Sequence, residues 1–312
     1  MRFTFLGTGT SAGVPAIGCG CRVCTSSDPR DNRLRTGAAL EFIDAQDQYR
    51  VVLIDCTPDL RQQALRAGLR RCDAVVFTHN HVDHTFGVDE LRRFNVVQDA
   101  PIEVYAEQHT MDHLRRVYTH IFDRERNINK SFVATLIPFV IDPEKPLDLF
   151  GVRFTPIRLL HGRLPILGFR IEKTMSGRTD RAPHSPTDPL KATGPWHKND
   201  EDFLPLAYCT DVSAIPTESW KKFRGVHTLV LDALRDRAHP THFTLDQAAS
   251  AAGEIGAAQT YFVHMTQDLK HDETNGRLPE GMQLAYDGLT LGSIPEQKRP
   301  APDMPGLGDA VD

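Results

Sequence analysis

Thr78-His79-Asn80-His81-Val82-Asp83-His84 directly follows the apolar run Ala74-Val75-Val76-Phe77. Three imidazoles and a carboxylate within six positions are the usual ligands of zinc and neighbouring transition metals. The apolar run reads as a buried strand, and a ligand cluster gains meaning from such a strand-to-loop context. In extended backbone His79 and His81 project to the same side. The chain must then turn before Asp83 and His84 can face that space, and Gly87 with a following helix is expected to allow it. One metal would take the first two histidines, and a second would sit beside the Asp83-His84 pair. The rival reading, a solvated histidine cluster, is disfavoured by the spacing.

With 312 residues the chain holds one large domain or two small ones and has ample length for a core. A net charge of −5 leaves no electrostatic footprint for a long nucleic-acid duplex. The opening Met1–Gly7 reads as a strand, and no segment reaches the roughly 18 apolar residues a bilayer span needs. A cytoplasmic protein without membrane attachment is expected. Of the six cysteines, Cys56, Cys72 and Cys209 sit among apolar neighbours and read as small core residues. Cys19, Cys21 and Cys24 form a tight Cys-x-Cys-x-x-Cys cluster. In a reducing compartment that spacing suits thiolates converging on one structural zinc, with unpaired loop thiols as the alternative.

Short apolar runs alternate with helical patterns. Strands are expected at 3–6, 51–54, 74–77, 102–105, 152–157, 167–171, 206–209, 228–231 and 260–263, and helices at 58–67, 88–94, 107–117, 217–222 and 244–255. This alternation argues for an α/β (α+β) chain of sheets sandwiched between helices. One domain over 1–292 is expected. The segment near 175–199, dense in Pro, Ser, Thr, Lys and Arg, reads as a flexible insertion carrying solvated His184 and His197. The Pro- and Gly-rich stretch 293–312 reads as a fraying tail.

A second group of ligand-type residues recurs after strand-like runs. His161 follows Phe154–Leu160, Asp211 follows Leu206–Thr210, and His264 follows Tyr261–Val263. Each alone could be a satisfied core or loop residue. All three stand where loops on a rigid scaffold carry function.

The motif at 78–84, followed in order by His161, Asp211 and His264, resembles the metallo-β-lactamase-fold hydrolases. That resemblance implies a four-layer αββα sandwich of two mixed sheets flanked by helices, with a dimetal site at the strand edge. It also implies that His79, His81 and His161 hold one divalent ion, that Asp83, His84 and His264 hold the other, and that Asp211 bridges them. The opening Phe5-Leu6-Gly7-Thr8-Gly9-Thr10-Ser11 is similar to that of ribonuclease Z and cyclic phosphodiesterases. Gly13-Val14-Pro15 and the cysteines at 19, 21 and 24 resemble more closely the phosphoribosyl cyclic phosphodiesterases of phosphonate breakdown. In that group a histidine three residues beyond the last active-site histidine completes the structural zinc. Here Gln267 stands there, and His271 substitutes if Asp268-Leu269-Lys270 turn.

By the same resemblance His242, in Pro240-Thr241-His242-Phe243-Thr244 before an Ala-rich helix, is the general acid. An imidazole near its ordinary pKa of about 6.5 can supply a proton at neutral pH. His239 competes for this role, and a helix neighbour that merely hydrogen-bonds is the alternative. Asp55 would orient the metal loop or cap a turn. Arg92, Arg93 and Arg235 are candidate phosphate contacts or plain surface charges. Close relatives often carry histidine at the position of Phe86, and an apolar ring there would reshape the mouth of the site.

The expected activity is hydrolysis of a small, cyclic or nucleotide-like phosphodiester through a metal-bridging hydroxide, with zinc or manganese as the ions and Asp83 orienting the nucleophile. The reading leaves a homodimer open. Two rivals remain. One is a ribonuclease Z-like endonuclease acting on transfer RNA 3′ ends. The other is a metal-dependent oxygenase-like protein related to pyrroloquinoline quinone biosynthesis, whose metal motif is depleted in histidine.

Overall fold

A computed structural model describes residues 1–123, 125, 132–174 and 203–300. The insertion expected near 175–199, with His184 and His197, and residues 301–312 of the expected tail lie outside the described residues.

The first half runs β1 (Arg2–Gly7), β2 (Gly37–Ile43), β3 (Tyr49–Ile54), α1 (Leu60–Ala67), β4 (Ala74–Val76), α2 (Val82–Thr85), α3 (Leu91–Gln98), β5 (Ile102–Ala106), α4 (Gln108–Val117), α5 (Thr119–Phe122) and β6 (Leu136–Val140). The second half runs β7 (Leu147–Leu149), β8 (Val152–His161), β9 (Leu164–Lys173), β10 (Leu206–Cys209), β11 (Thr228–Asp232), α6 (Leu245–Ile255), β12 (Gln259–Val263), α7 (His271–Asn275), β13 (Met282–Leu284) and β14 (Thr290–Gly292). Two sheets result, ordered β14-β1-β2-β3-β4-β5-β6 and β13-β12-β11-β10-β9-β8-β7. In the first, β3 through β6 are parallel; in the second, β10 through β13 are. Parallel neighbours need crossover connections, and the helical patterns between the strands supply them.

The side chains sort by pleat. Ala38, Leu40 and Phe42 on β2 point between the sheets, where they meet Phe3, Phe5, Phe154, Phe169 and Tyr208, whereas Ala39 faces the helical layer. Leu53, Val75, Phe94, Val104, Met111 and Leu114 fill the space under α1, α3 and α4. Leu229, Leu231, Ala248, Ala252 and Phe262 do the same under α6. The four-layer sandwich follows, because each sheet is apolar on both faces and must be covered twice.

Several elements differ from the sequence reading. β2 was not expected, because Gly37-Ala38-Ala39 lacks the β-branched residues that mark a strand. Edge strands β6, β7, β13 and β14 also escaped the pattern, being short or partly exposed, as edges usually are. The helix expected at 217–222 is a 3-10 helix over Thr217–Phe223. In the C-terminal stretch, Arg299 forms an ion pair with buried Glu41 at 3.3 Å and donates to the Ala67 carbonyl at 3.0 Å, so residues up to 299 are tied to the first sheet and α1. Among the described residues no helix is long and apolar enough to cross a membrane.

Candidate active site

The site lies at the carboxyl ends of β3 and β4 in one sheet and of β8, β10, β11 and β12 in the other, where loops of a parallel sheet collect functional groups. Three residues there adopt left-handed backbone: Asp55 (φ 64°), Asp211 (φ 59°) and His264 (φ 61°). A non-glycine residue in this region is uncommon, and such strain persists only where the surroundings impose it. Each immediately follows or nearly follows a strand, so the turn bends the chain while aiming the side chain into the gap between the sheets.

After β4 the turn comes earlier than Gly87. His81 is extended, and α2 starts at Val82, which swings Asp83 and His84 inward within one helical turn. Gly87 has a different task. A Cβ built there would stand 2.0 Å from the Thr57 carbonyl oxygen, while its backbone N–H donates to the Cys56 carbonyl at 2.8 Å. The metal loop is thus clamped onto the loop after β3. Gly87→Ala should cost about 3 kcal/mol, read as a lower urea midpoint with an unchanged slope, because backbone blocks the added methyl.

The structure gathers the expected ligands into two sets. Ring nitrogens of His79, His81 and His161 form one; ligand atoms of Asp83, His84, Asp211 and His264 form the other, and within each set all lie within 4.8 Å of one another. Asp211 Oδ2 stands 3.2 Å from His84 Nε2 and its Oδ1 3.1 Å from His264 Nε2. The same carboxylate also groups with His161 and His242, placing it between the two sets. Only His81 of these is exposed, which marks the open side.

The side chains behind the ligands fix their tautomers. Thr78 donates its hydroxyl to Asp55 Oδ2 at 2.8 Å, so its oxygen accepts from His79 Nδ1 at 2.9 Å. Asp55 Oδ2 also accepts from His84 Nδ1 at 2.7 Å, and the Thr241 carbonyl accepts from His161 Nδ1 at 2.7 Å. With protons on Nδ1, Nε2 is in each case the nitrogen left to face the gap and serve as a ligand atom. The Nε2 atoms of His79, His84 and His264 are buried and have no hydrogen-bond partner among the described residues. Buried orphan nitrogens beside two carboxylates fit divalent cations.

His242 arrives through the loop after β11. Phe243 N–H donates to the Val212 carbonyl at 2.6 Å, and Thr244 with Gln247 forms a capping box that starts α6. Its ring stacks 4.8 Å from that of His264 and lies 4.5 Å from that of His161. Its Nδ1 is 3.1 Å from Asp232 Oδ2, and Asp232 Oδ1 stands 3.6 Å from His264 Nδ1. Asp232 was not expected from the sequence; it is the last residue of β11, and an acidic residue ending an apolar run was the available signal.

The expectation of an ordinary imidazole pKa for His242 does not hold. Burial and the neighbouring His264 press it down to about 4, while burial pushes the Asp232 carboxyl up. Both effects oppose separate charges. The buried pair therefore favours a neutral whole, in which one proton lies between Asp232 and Nδ1 and another stays on Nε2.

The cleft has a volume of about 760 Å³ and is lined by Ser11, Asn80, His81, Val82, Asp83, His113, His161, Leu164, Asp211, His242 and His264. Ser11 reaches it because Thr10 N–H donates to the Met265 carbonyl at 3.0 Å, tying the loop after β1 to the loop after β12. None of the three candidate arginines lines it, in keeping with the alternative of plain surface charges. Arg92 pairs with Asp89 at 3.4 Å, Arg93 lines a separate groove between α1 and α3, and Arg235 donates to the carbonyls of Arg237 and Ala238. They lie on helix and loop faces directed elsewhere. Phe86 is exposed and meets Tyr118 edge-on at 6.5 Å. His239 sits 5.2 Å from His242, ring to ring, with Nδ1 accepting from Thr241.

The sulfurs of Cys19, Cys21 and Cys24 also lie within 4.8 Å of one another. The Cys24 N–H donates to Cys21 Sγ, and this bond brings the Cys21 thiol down to about 7, whereas burial raises Cys24 to about 11. His271 is not in that group. The chain turns at Gln267–Asp268 as required, but His271 then opens α7 with its N–H held by Asp31 Oδ1 at 2.8 Å and its ring against Tyr286. Cys56, Cys72 and Cys209 are buried core residues, as expected.

Comparison with known proteins shows the family. The profile of the beta-lactamase superfamily domain matches residues 50–186 and 200–265. A crystal structure of a diphosphatase from the PhnP family is 39% identical, covers 93% of this chain and 97% of its own, and superposes with a TM-score of 0.75. An octanoyltransferase of Porphyromonas gingivalis is 33% identical over 291 residues, 93% of this chain and 51% of that protein, so the chain spans about half the length of this relative. A coenzyme PQQ synthesis protein B of Rhodopseudomonas palustris is 31% identical over a 329-residue alignment, 93% of this chain and 99% of that protein. On the family profile and the PhnP-family relative, the chain belongs to the beta-lactamase superfamily and is a metal-dependent hydrolase of the metallo-β-lactamase fold, related to the PhnP family.

Proposed function

We propose that this chain hydrolyses a small phosphodiester, cyclic or nucleotide-like, at a centre for two divalent cations, zinc or manganese. The observation carrying this reading is the convergence of two donor sets that share Asp211. His79, His81 and His161 would hold one ion, Asp83, His84 and His264 the other, with Asp211 between them. Bound there, two cations supply an acidified water and neutralise phosphoryl charge. The side chains do the rest. Asp83, with one oxygen facing His84 and His264, orients the attacking water, and His242 protonates the departing oxygen with the proton kept on Nε2 by its pairing with Asp232. The 39% identity to a PhnP-family diphosphatase supports phosphoester chemistry as the class. Bis-p-nitrophenyl phosphate should be turned over after zinc or manganese loading, and no turnover with either ion would overturn the reading.

The match to coenzyme PQQ synthesis protein B keeps a second reading in play, a metal-dependent oxygenase-like protein. Iron in the purified protein together with oxygen consumption would favour it. A ribonuclease Z-like activity would instead give tight, steeply salt-dependent binding of transfer RNA precursors. All six cysteines are free, which supports a reducing, cytoplasmic location.

We also assign a structural zinc to Cys19, Cys21 and Cys24, supported by their mutual approach and by N–H groups aimed at Cys21 and Cys24 sulfur. Cys21→Ser should lower bound zinc by about one ion per chain and the melting temperature by several degrees, with hydrolytic metal retained. Unchanged zinc content by elemental analysis would remove the assignment.

A further inference from the structure

His113, on α4, is a cleft residue outside both donor sets. Its Nδ1 lies 3.2 Å from Arg116 Nη2. A guanidinium carries donors only, so Nδ1 must accept and the ring proton must reside on Nε2. That Nε2 is buried and has no hydrogen-bond partner among the described residues. A buried donor without a partner calls for an explanation, commonly a ligand or water that completes it. The Nε2 atoms of His79, His84 and His264 are in the same condition, and there the donor sets account for it. A protonated Nε2 cannot face a cation, so the partner of His113 must be an acceptor.

We propose that His113 is a substrate-positioning residue whose Nε2–H donates to a phosphoryl oxygen of the phosphodiester in the cleft. This rests on the phosphodiesterase reading above. The position suits the role. His113 comes from the first half of the chain and lines the cleft with exposed His81 and Val82, whereas His242 comes from the second half. The phosphoryl group would therefore be held from one wall while the leaving oxygen is protonated from the other. Arg116 fixes the tautomer and, as a cation beside the ring, strengthens the donor.

His113→Phe keeps a ring and removes the donor; His113→Gln keeps an N–H donor on a side chain of similar reach. With metal content matched by elemental analysis, we expect His113→Phe to weaken inorganic phosphate binding in calorimetry about 10-fold and to raise KM for bis-p-nitrophenyl phosphate similarly, with kcat held within about twofold. His113→Gln should stay within about threefold of the parent in both. Unchanged phosphate affinity in His113→Phe overturns the proposal, as does equal loss of metal or melting temperature in both variants, which would mark a structural role. If the parent turns over no phosphodiester, the reading of the reaction fails, and phosphate affinity still decides the role of His113.

Discussion

Asp211→Ala is expected to lower kcat/KM for a phosphodiester by at least about 10³-fold, equivalent to ~4 kcal/mol of transition-state stabilisation. The carboxylate is buried, it follows β10 at a left-handed residue, and its two oxygens face His84 and His264 at 3.2 and 3.1 Å. Removing it leaves the His84 and His264 imidazoles without the carboxylate that faces both. Its influence on the metal-free protein is also large. Burial alone would lower His264, yet the carboxylates around it, Asp211 foremost with Asp83 and Asp232, together push it up to about 9. Cation binding to that nitrogen must therefore expel a proton, so uptake should weaken as pH falls below about 9. In Asp211→Ala this dependence should flatten, because the raised His264 pKa loses its main support. Metal content by elemental analysis, pH-dependent uptake and turnover are the three measurements. Full turnover in the variant would remove Asp211 from the centre.

His242→Ala should separate substrates by their leaving groups. For an alkyl leaving group, which needs a proton, kcat should fall by about 10²- to 10⁴-fold. For p-nitrophenolate, a stable anion, the loss should be small. Equal losses on both substrates would mean that His242 positions rather than protonates. The Asp232 pairing adds a pH signature. The competent pair holds two protons, and burial favours that neutral state, so kcat on alkyl substrates should decline on the alkaline side as the pair loses one. Asp232→Asn keeps the shape and removes the proton exchange with Nδ1, and it should lower kcat on the alkyl substrate more than on the nitrophenyl one.

The legibility of the site followed its physics. Donor chemistry is revealed by a residue's identity alone, so His79, His81, Asp83, His84, His161, Asp211 and His264 could be named as candidate ligands before folding, and the structure brings them together in two sets. The residues that support them were harder to see. Thr78, Thr241 and Asp232 act through hydrogen bonds to groups distant in the chain or on neighbouring loops, and Thr or Asp at a strand end is common in any chain. His113 sits inside an ordinary amphipathic helix, where nothing in the spacing separates it from a surface histidine. For the arginines at 92, 93 and 235 sequence leaves two readings open, since a guanidinium suits phosphate; the helix face and loop on which each stands point away from the cleft, in keeping with plain surface charges.

The same division holds for the fold. Buried strands such as 51–54 and 206–209 announce themselves because a two-sided apolar run has few other uses. β2 and the edge strands depended on neighbours to give them partners, and no local pattern supplies that.

By itself, then, the order of residues determined which side chains could bind cations and that they would stand after buried strands, since donor chemistry and hydrophobic periodicity are both local. Tertiary structure alone decided the tautomers, the joining of His242 to Asp232, and the separation of His271 from the three cysteines. Those outcomes depend on angstrom-scale approach between segments far apart in the chain, set by how two sheets close on one another.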